Sequence, residues 1–554
     1  MTTVPFLRIP PFPGHRAGPL AVTGATRPDC DGAQLAESLR QWRVGGSYWG
    51  AASALPVGCD VVLCPSSPAA AVVVLAEARS SGLIERAVVR GKFGGARGLP
   101  WIPADADPWN VCTQASLVIA DADDEAALIA ALVGTDLKVV GSGRFADLAV
   151  ADRVDEVVQR ELCSAWSYRD PFDGELMEPI RAIEMLGRWR TLIDANREVA
   201  SVYGVARWKR ITADVLLWDG TGAVRHGSGD REAGAKSGPG AGDQVLAWVA
   251  RSDSARLSAL EARGVRVGEI EDGMIRSTGL GANCVPPLSI VVDKAGPHFD
   301  PAQPSMLETI LQDADIDEGT LSRAAALRQW LVAKGISKYG QDEGRKISEA
   351  EPGGRRRVLV TGQVEDDRSV LRGGGGLGNL ELLRRAREAE PDAWIVFKPH
   401  PDVEAGHRKG RVPDAHALEY ADEIDRTSSI AALLDSVEGV HVLTSLAGFE
   451  ALLRGCDVTT HGVPFYAGWG LTRDLGPVPP RRSRKRNIDE LVAATLILYP
   501  RYLDPVTRLP CEPEILVQRI ADGDAVVRSH LVRLREIQGR INRLASMATW
   551  RRDR

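Results

Sequence analysis

Residues 439–462 read GVHVLTSLAGFEALLRGCDVTTHG, and this pattern decides the fold class. A short apolar run ends at Leu443, a Thr-Ser pair follows, and an apolar stretch then leads to a glycine before the next run begins. Thr444 and Ser445 are typical helix caps, and Gly455 is typical of a helix end. The stretch therefore predicts a strand, a helix and a second strand, which is the repeating unit of a parallel α/β sheet.

The same alternation occupies residues 55–150, 214–300 and 356–470. Gly- and charge-rich segments at Gly220–Asp243, which we interpret as a mobile loop, and near residue 350 suggest boundaries. We predict an α/β protein with two Rossmann-like domains facing a cleft. The predicted segments are a shortened α/β module over 1–210, one Rossmann-like domain over 211–350, a second over 351–500 and a helical segment over 501–554.

The composition of the 554 residues is that of an ordinary globular protein, with 44% hydrophobic and 26% charged residues. The net charge of −6 argues against a nucleic-acid binder. The eight cysteines include no CxxC pair, which disfavours zinc or a disulfide framework and favours a reducing cytoplasm. Because there is no signal-like segment and no run of 18 apolar residues, we expect neither export nor a membrane span.

An internal repeat relates the two halves of the chain. YRDP at Tyr168 resembles YLDP at Tyr502, and AALIAALVGTDLKVVGSG resembles EALLRGCDVTTHG. At the offset of 321 residues that aligns the second pair, Ile129 falls opposite Glu450, and no KPHPD motif precedes the earlier copy. We interpret residues 1–210 as a shortened, chemically silent copy of the module over 211–554; chance similarity of helix–Gly–strand patterns is the alternative.

Candidate phosphate-binding groups follow two predicted strands. In FKPHPD, a buried strand delivers Lys398 and His400 to its carboxyl end, where ligands bind in open parallel sheets. Thr444 and Ser445 begin a helix whose free N–H groups attract phosphate. Glu450, among apolar neighbours, needs a partner such as ribose hydroxyls. Together these groups describe a nucleotide-sugar site, so the two domains match the plan of a two-domain (GT-B-like) glycosyltransferase. Residues 351–500 would be its nucleotide-sugar domain and residues 211–350 its acceptor-side domain. The alternatives are a surface turn with a capping histidine and an ordinary acidic residue near a helix start.

Acidic groups follow two further strands. Glu365, Asp366 and Asp367 come after the first strand of the nucleotide-sugar domain, and Glu271–Asp272 end a strand of the preceding domain. Facing carboxyls would serve a double displacement, one as nucleophile and one as acid/base. The triplet lacks the spacing of a dedicated magnesium cage. A solvated acidic loop and an Asp-Gly turn are the structural alternatives.

The cationic run RRSRKR at Arg481–Arg486 is either a solvated loop or a contact with anionic lipid headgroups.

Seven motifs in order resemble the capsule polysaccharide β-Kdo transferases, the KpsC-like proteins. They are EDGMIRSTGLG with PPLSIVVD, SKYG, GQVEDDRSV, KPHPD, TSLAGFEALLRG, PFYAGWGLTRD and PRYLDPVT, within about residues 245–515. The resemblance implies a retaining transferase with two Rossmann-like domains. It also implies CMP-β-Kdo as donor, no cofactor or metal, and a glycolipid or saccharide acceptor at the cytoplasmic face of the inner membrane. Peripheral contact with anionic lipid fits this location.

The resemblance also assigns roles to residues. Asp367 matches the nucleophile of a covalent Kdo adduct, with its neighbour Asp366 as the alternative. Either Glu271 or Asp272 would be the acid/base. CMP binding is assigned to Lys398, His400, Thr444, Ser445 and Glu450. Sugar binding is assigned to Gln363 and Asp366, and to Arg276 on chemical grounds, because a guanidinium pairs well with the Kdo carboxylate.

The first half departs from this family because it lacks EDG, KPHP and the helix glutamate. We therefore expect one active module and one linkage rather than an alternating polymer. Two alternatives remain open: a transferase or epimerase acting on another nucleotide sugar, and a non-catalytic capsule-assembly scaffold.

Overall fold

The computed structural model describes residues 4–23, 30–93, 96, 98–150, 152–227, 238–277, 285–338, 340–341, 353–406 and 408–525. The chain divides into two compact units. The first comprises Met1–Glu198, Asp214–Val224 and Thr507–Leu509, and the second comprises Val199–Ala213, Arg225–Val506 and Pro510–Arg554. Outside the described residues lie 342–352, where a boundary was predicted, 228–237 of the predicted mobile loop, and 526–554 of the predicted helical segment.

The first unit is built from short strands and amphipathic helices. Its strands are β1 (Ala21–Val22), β2 (Val61–Cys64), β3 (Ala87–Arg90), β4 (Trp101–Ile102), β5 (Leu117–Asp121), β6 (Asp136–Val140), β7 (Ser167–Arg169) and β8 (Leu176–Met177). Its helices are α1 (Gly32–Trp42), α2 (Pro68–Ser80), α3 (Pro108–Gln114), α4 (Glu125–Val133), α5 (Val154–Gln159) and α6 (Pro179–Asn196). Among the described residues, a parallel sheet has the order β4-β3-β2-β5-β6, and β1, β7 and β8 form an antiparallel one.

Two cysteines of the first unit are paired. Cys30 and Cys163 form a disulfide, with their Cα atoms 6.6 Å apart. The expectation that the cysteines do not pair is therefore wrong for these two. Sequence reasoning had no access to the pair because 133 residues separate them and no local motif marks either one.

The strands of the second unit are β9 (Val199–Tyr203), β10 (Gln244–Ala247), β11 (Arg266–Asp272), β12 (Ser289–Asp293), β13 (Ile336–Ser337), β14 (Gly340–Gln341), β15 (Arg357–Thr361), β16 (Trp394–Lys398), β17 (Glu423–Ile424), β18 (Gly439–Val442), β19 (Asp457–Thr460), β20 (Arg473–Asp474), β21 (Pro500–Leu503) and β22 (Pro510–Cys511). Its helices, with α7 crossing the division between the units, are α7 (Arg210–Leu216), α8 (Ser254–Ala262), α9 (Met306–Asp313), α10 (Glu318–Ala333), α11 (Arg368–Gly373), α12 (Asn379–Ala389), α13 (Pro401–Glu404), α14 (Asp414–Ala417), α15 (Ile430–Leu434), α16 (Leu446–Leu453), α17 (Ile488–Val492) and α18 (Pro513–Ala521).

One six-stranded sheet of the second unit is parallel, with the order β17-β16-β15-β18-β19-β20 among the described residues. Both of its faces are buried, because successive side chains of one strand enter different apolar clusters. Val358 and Val360 pack with Leu382 and Leu383 of α12, whereas Leu359 packs with the cluster that contains Phe449 of α16. The carboxyl edge therefore remains as the place where polar side chains collect.

The other large sheet of the second unit is mixed, with the order β22-β21-β12-β11-β10-β9. Strands β9, β10 and β11 are parallel, but β12 is antiparallel to both β11 and β21. The prediction of a parallel sheet here is thus wrong for β12, because a buried apolar strand has the same composition in either direction. The sheet also extends past the predicted boundaries: β9 precedes residue 211, and β21 and β22 include residues of a segment predicted to be helical.

The two parallel sheets share one strand order, since β4-β3-β2-β5-β6 corresponds to β17-β16-β15-β18-β19. The elements that follow also correspond. A helix continues into a π-helical turn, at Arg160–Ser164 in one unit and Ala493–Leu498 in the other, and a strand with a tyrosine comes next. Gly134 and Gly455, after α4 and α16, have φ of 77° and 79°. That left-handed conformation explains the glycine at both positions.

Candidate functional site

Asp367 is the N-cap of α11, close to the carboxyl end of β15. Its Oδ1 accepts hydrogen bonds from the backbone N–H of Ser369 at 3.0 Å and from the Ser369 hydroxyl at 2.7 Å. Among the described residues, its Oδ2 has no hydrogen-bond donor. Asp367 therefore has one fixed oxygen and one available oxygen, as a nucleophilic carboxylate requires.

The other acids of the triplet are engaged elsewhere. Asp366 is exposed and forms an ion pair with Arg408 at 3.1 Å. Glu365 Oε1 accepts the backbone N–H of Asn379, at the start of α12, at 2.7 Å. This geometry favours Asp367 over Asp366 as the reactive group.

A chain of hydrogen bonds joins Asp367 to the neighbouring strand end. Gln363 Oε1 accepts the backbone N–H groups of Leu443 and Thr444 at 3.1 and 2.9 Å, and its Nε2 donates to Thr444 Oγ1 at 3.0 Å. Thr444 Oγ1 lies 3.5 Å from Ser369 Oγ, which in turn donates to Asp367. Gln363 and Thr444, predicted to bind sugar and CMP, are thus occupied in holding β15, β18 and α11 together.

His400 lies near Asp367. Its Nδ1 accepts the backbone N–H of Asp402 at 3.2 Å, so the neutral ring carries its proton on Nε2. Burial lowers the pKa of His400, and the charges of Asp402 and Asp367 oppose this effect. A neutral donor thus stands within electrostatic reach of Asp367.

Lys398 is half-buried at the end of β16. Its Nζ donates to the Ser428 carbonyl at 2.6 Å and lies 3.9 Å from Asp425 Oδ1. Burial lowers its pKa, opposed by Asp425. The predicted phosphate ligand is therefore engaged by the loop after β17.

Ser445 and Glu450 lie on α16. Ser445 Oγ accepts the backbone N–H of Ala447 at 3.2 Å, and its carbonyl accepts the Tyr466 hydroxyl. Glu450 is buried, burial raises its pKa, and its Oε1 accepts the backbone N–H of Lys338 at 3.2 Å. Glu450 thus supports the SKYG segment, and its contact with ribose stays a prediction.

Asp272, at the end of β11, is fixed between two cations. Lys209 Nζ lies 2.9 Å from its Oδ1, and Arg276 Nε lies 2.7 Å from its Oδ2. Burial acts to raise the pKa of Asp272, but Lys209 and Arg276 outweigh it and hold that pKa below its usual range. A permanently ionised, doubly paired carboxylate is a poor acid/base.

Arg276, predicted to bind the Kdo carboxylate, is fully buried at 1% exposure. Besides Asp272, its guanidinium donates to Ser277 Oγ and the Val285 carbonyl, both at 2.8 Å. Its role in this structure is to hold Asp272 and the segment around it.

Glu271 differs from its neighbour. Burial raises the pKa of Glu271 to about 7, against the opposing charge of Arg368. Arg368 Nη1 contacts Glu271 Oε1 at 3.0 Å, and the same guanidinium binds Glu269 at 2.9 and 3.0 Å. Because Arg368 directly follows Asp367, this contact places Glu271 of the mixed sheet close to the segment that contains the candidate nucleophile. A carboxyl with a pKa near neutrality suits an acid/base.

Sequence reasoning missed Arg368, Lys209 and His298. Arg368 also lies over the Phe299 ring at 5.0 Å. The His298 ring packs edge-on against Phe465 and Tyr499, and burial, with a smaller effect of Lys338, lowers its pKa to about 3. The signal available for Arg368 was its position directly after Asp367.

The cationic run is paired within the second unit. Glu308 binds both Arg481 and Arg482, Arg484 pairs with Asp315, and Arg486 pairs with Glu490. Arg482 and Arg486 are buried. These four side chains are therefore engaged within the second unit, whereas Ser483 and Lys485 are exposed.

Within the described ranges, no three His, Cys, Asp or Glu side chains are grouped in a way that would hold a metal ion. No helix in those ranges combines the length and apolar character needed to cross a bilayer.

Residues 243–334 and 319–502 match the model of the family described as capsule polysaccharide biosynthesis protein. The chain belongs to this KpsC-like capsule family. The resemblance predicted from the seven motifs is thereby confirmed, and the matched residues include Glu271 and Asp367.

Relatives of the family are similar to a large part of the chain. The capsule polysaccharide modification protein LipA of Neisseria meningitidis is 38% identical over 63% of this chain and 49% of its own length. The lipopolysaccharide-processing protein LpsZ of Rhizobium meliloti is 44% identical over 42% of this chain and 53% of its own. The chain thus spans about half the length of these curated relatives.

Two solved structures of Thermosulfurimonas dismutans KpsC are also similar. The β-Kdo 2,4 transferase is 27% identical with a TM-score of 0.50, over 58% of this chain and 98% of that one. The β-Kdo 2,7 transferase is 33% identical with a TM-score of 0.46, over 58% and 99%. The first of these supports an α/β glycosyltransferase-like fold for the family module.

Proposed function

We propose that the chain is a retaining β-Kdo transferase of capsule polysaccharide biosynthesis, which moves Kdo from CMP-β-Kdo to a glycolipid or saccharide acceptor. The observation that carries the proposal is the contact between Arg368, the residue directly after Asp367, and Glu271, whose pKa is about 7. The family assignment and the similarity to the β-Kdo 2,4 transferase support the choice of Kdo. The GT-B arrangement is part of the proposal, with the mixed sheet on the acceptor side.

The first step forms a covalent adduct. Oδ2 of Asp367 attacks the anomeric carbon, the bond from that carbon to the CMP phosphate oxygen breaks, and CMP leaves with the electron pair. His400 Nε2–H and the positive end of the α16 dipole are the groups that would stabilise the phosphate.

The second step releases the sugar. An acceptor hydroxyl attacks the anomeric carbon, Glu271 takes the hydroxyl proton, and Asp367 departs as a carboxylate. Two displacements at one carbon retain the β configuration. Asp272 and Arg276 would keep β11 and the following segment in position during both steps.

One active module is part of the proposal. In the first unit, Asp121 at the end of β5 accepts hydrogen bonds from the N–H and hydroxyl of Ser66. A carboxylate thus occupies the edge that in the second unit carries Thr444. An anion there would repel a phosphate, and Ile129 cannot replace Glu450.

The test is mass spectrometry of the intact chain and its peptides after incubation with CMP-Kdo. We expect CMP release and a Kdo adduct on the peptide that contains Asp367. Asp367→Asn removes the adduct, and the matched control Asp366→Asn keeps it. Release of UDP from a UDP-sugar, or turnover unaffected by Asp367→Asn, would contradict the proposal and favour another donor or a scaffold.

A further inference from the structure

A cavity of about 380 Å³ opens at the carboxyl edge of the mixed sheet, beside the ends of β9 and β10. Its charged lining comes from Arg210, Arg251, Arg256, His226 and Asp253. Three guanidinium groups therefore face one carboxylate. Asp253 is itself committed, since its Oδ1 caps α8 through the backbone N–H of Ala255 at 3.0 Å.

Two of these arginines differ from Arg276 and Arg368, which bind carboxylates. Arg210 and Arg251 have no ion-pair partner among the described residues, and Arg210 Nε is buried without a hydrogen-bond acceptor. A buried guanidinium nitrogen without an acceptor is costly, and an oxyanion in the cavity would supply that acceptor.

Arg256 completes the lining by packing on the Tyr203 ring at 5.0 Å. Such stacking orients the guanidinium group. The cavity walls thus combine three guanidinium groups with the polar side chains of His226 and Ser252.

The cavity is linked to Asp272, the neighbour of the proposed acid/base, and shares a sheet edge with Glu271. Arg210 follows Lys209, whose Nζ donates to Asp272 at 2.9 Å. Strands β9, β10 and β11 are parallel neighbours, so the cavity and Glu271 belong to the same carboxyl edge. This is the acceptor side of the proposed reaction.

We propose that the cavity binds an oxyanion of the acceptor, a carboxylate or a phosphodiester, and so presents the acceptor hydroxyl to Glu271. The inference rests on the proposed function for its role in catalysis, but anion binding is testable without turnover. A sugar carboxylate and a lipid headgroup phosphodiester share the chemistry that three guanidinium groups recognise, and two probes distinguish them.

The binding test uses the full chain and isothermal titration calorimetry. The probes are glycerophosphoglycerol, a soluble phosphodiester, and the methyl β-glycoside of Kdo, a carboxylate. We expect one of them to bind the native chain and to bind about tenfold more weakly after each of Arg210→Gln and Arg251→Gln. Arg79→Gln, an exposed arginine of α2 in the first unit, is the matched control. Binding of neither probe, or equal affinities in all variants, overturns the proposal.

The kinetic test separates this site from the donor site. Release of CMP from CMP-Kdo without acceptor should stay unchanged in Arg251→Gln, whereas the KM rises about tenfold for an acceptor that carries the anion bound in calorimetry and stays level for the same acceptor with that anion esterified. Absence of CMP release from the native chain would refute the proposed function alone, since the calorimetric result stands independently. An unchanged KM for the acceptor that carries the bound anion, with normal CMP release, would refute the cavity proposal alone. Arg251 is exposed, so its substitution tests the site with an intact fold.

Discussion

Replacing Arg368 with glutamine tests whether Glu271 is the acid/base. The guanidinium stabilises ionised Glu271 through the 3.0 Å contact, so its removal must raise the pKa of Glu271 above the present value of about 7. If the carboxylate is the catalytic base, the rate then falls at neutral pH and recovers at alkaline pH.

The magnitude follows from the geometry of the contact. Two unit charges about 4 Å apart interact by about 4 kcal/mol at an effective dielectric constant of about 20. Both side chains are about a quarter exposed, at 28% for Arg368 and 22% for Glu271, and the cation is shared with Glu269. We therefore expect about a third of that energy, about 1.4 kcal/mol, which moves the acid limb of kcat/KM upward by about one pH unit.

The assay is product formation from CMP-Kdo and a soluble acceptor between pH 5.5 and 9.5. At pH 7 the ionised fraction of Glu271 falls from about a half to about a tenth, so the variant should be about fivefold slower there and nearly equal at pH 9. Arg372→Gln is the matched control, because Arg372 is on the same helix, 61% exposed and 3.7 Å from Asp300. An acid limb that stays in place, or moves to lower pH, refutes the assignment of Glu271.

Four further outcomes follow from the same contacts. Asp367→Asn should lower turnover by about a thousandfold without changing the melting temperature, because asparagine also caps helices; calorimetry and CMP release check this. Asp272→Asn should cost about 3–5 kcal/mol of unfolding free energy in urea, because it leaves two cations without their anion. Glu450→Ala should cost about 1–3 kcal/mol, and Glu450→Gln much less, because glutamine still accepts the backbone N–H. Burial lowers the pKa of His441 to about 3 and of His461 to about 4, so the unfolded chain, with histidine pKa values near 6.5, binds more protons between pH 4 and 6.5. The unfolding free energy should fall by about 1.4 kcal/mol per histidine for each pH unit lost in that window; values that stay level from pH 6.5 to 4 would contradict this.

Local pattern was sufficient for the parallel sheets. The strand, cap, helix and glycine at residues 439–460 lie where the sequence predicts them, as do β15 and β16. These elements depend on short-range rules, namely apolar runs, capping side chains and left-handed glycines. The pairing of β12 with β21 lay beyond such rules, because about 200 residues separate the two strands and composition does not encode strand direction.

For the site, sequence identified residue types and strand ends but not partners. It placed Asp367 and Glu271 near strand ends of two different predicted domains. It could not decide, however, which of Glu271 and Asp272 is the acid/base. The distinction comes from Lys209, over 60 residues earlier, which pairs with Asp272 alone. The same limit explains Arg276 and Lys398: a basic residue near a strand end is a plausible anion ligand until its internal carboxylate or carbonyl is known.

The shared strand order of the two parallel sheets allows one sheet to be compared with the other within the same chain. Features that both sheets have, including the left-handed glycines after α4 and α16, are explained by the fold and need no role in catalysis. The positions at which the two halves differ, such as Ile129 against Glu450, are the ones whose chemical role needs testing. Exchanging those positions one at a time would measure what each contributes to activity, with the other sheet unchanged in every experiment.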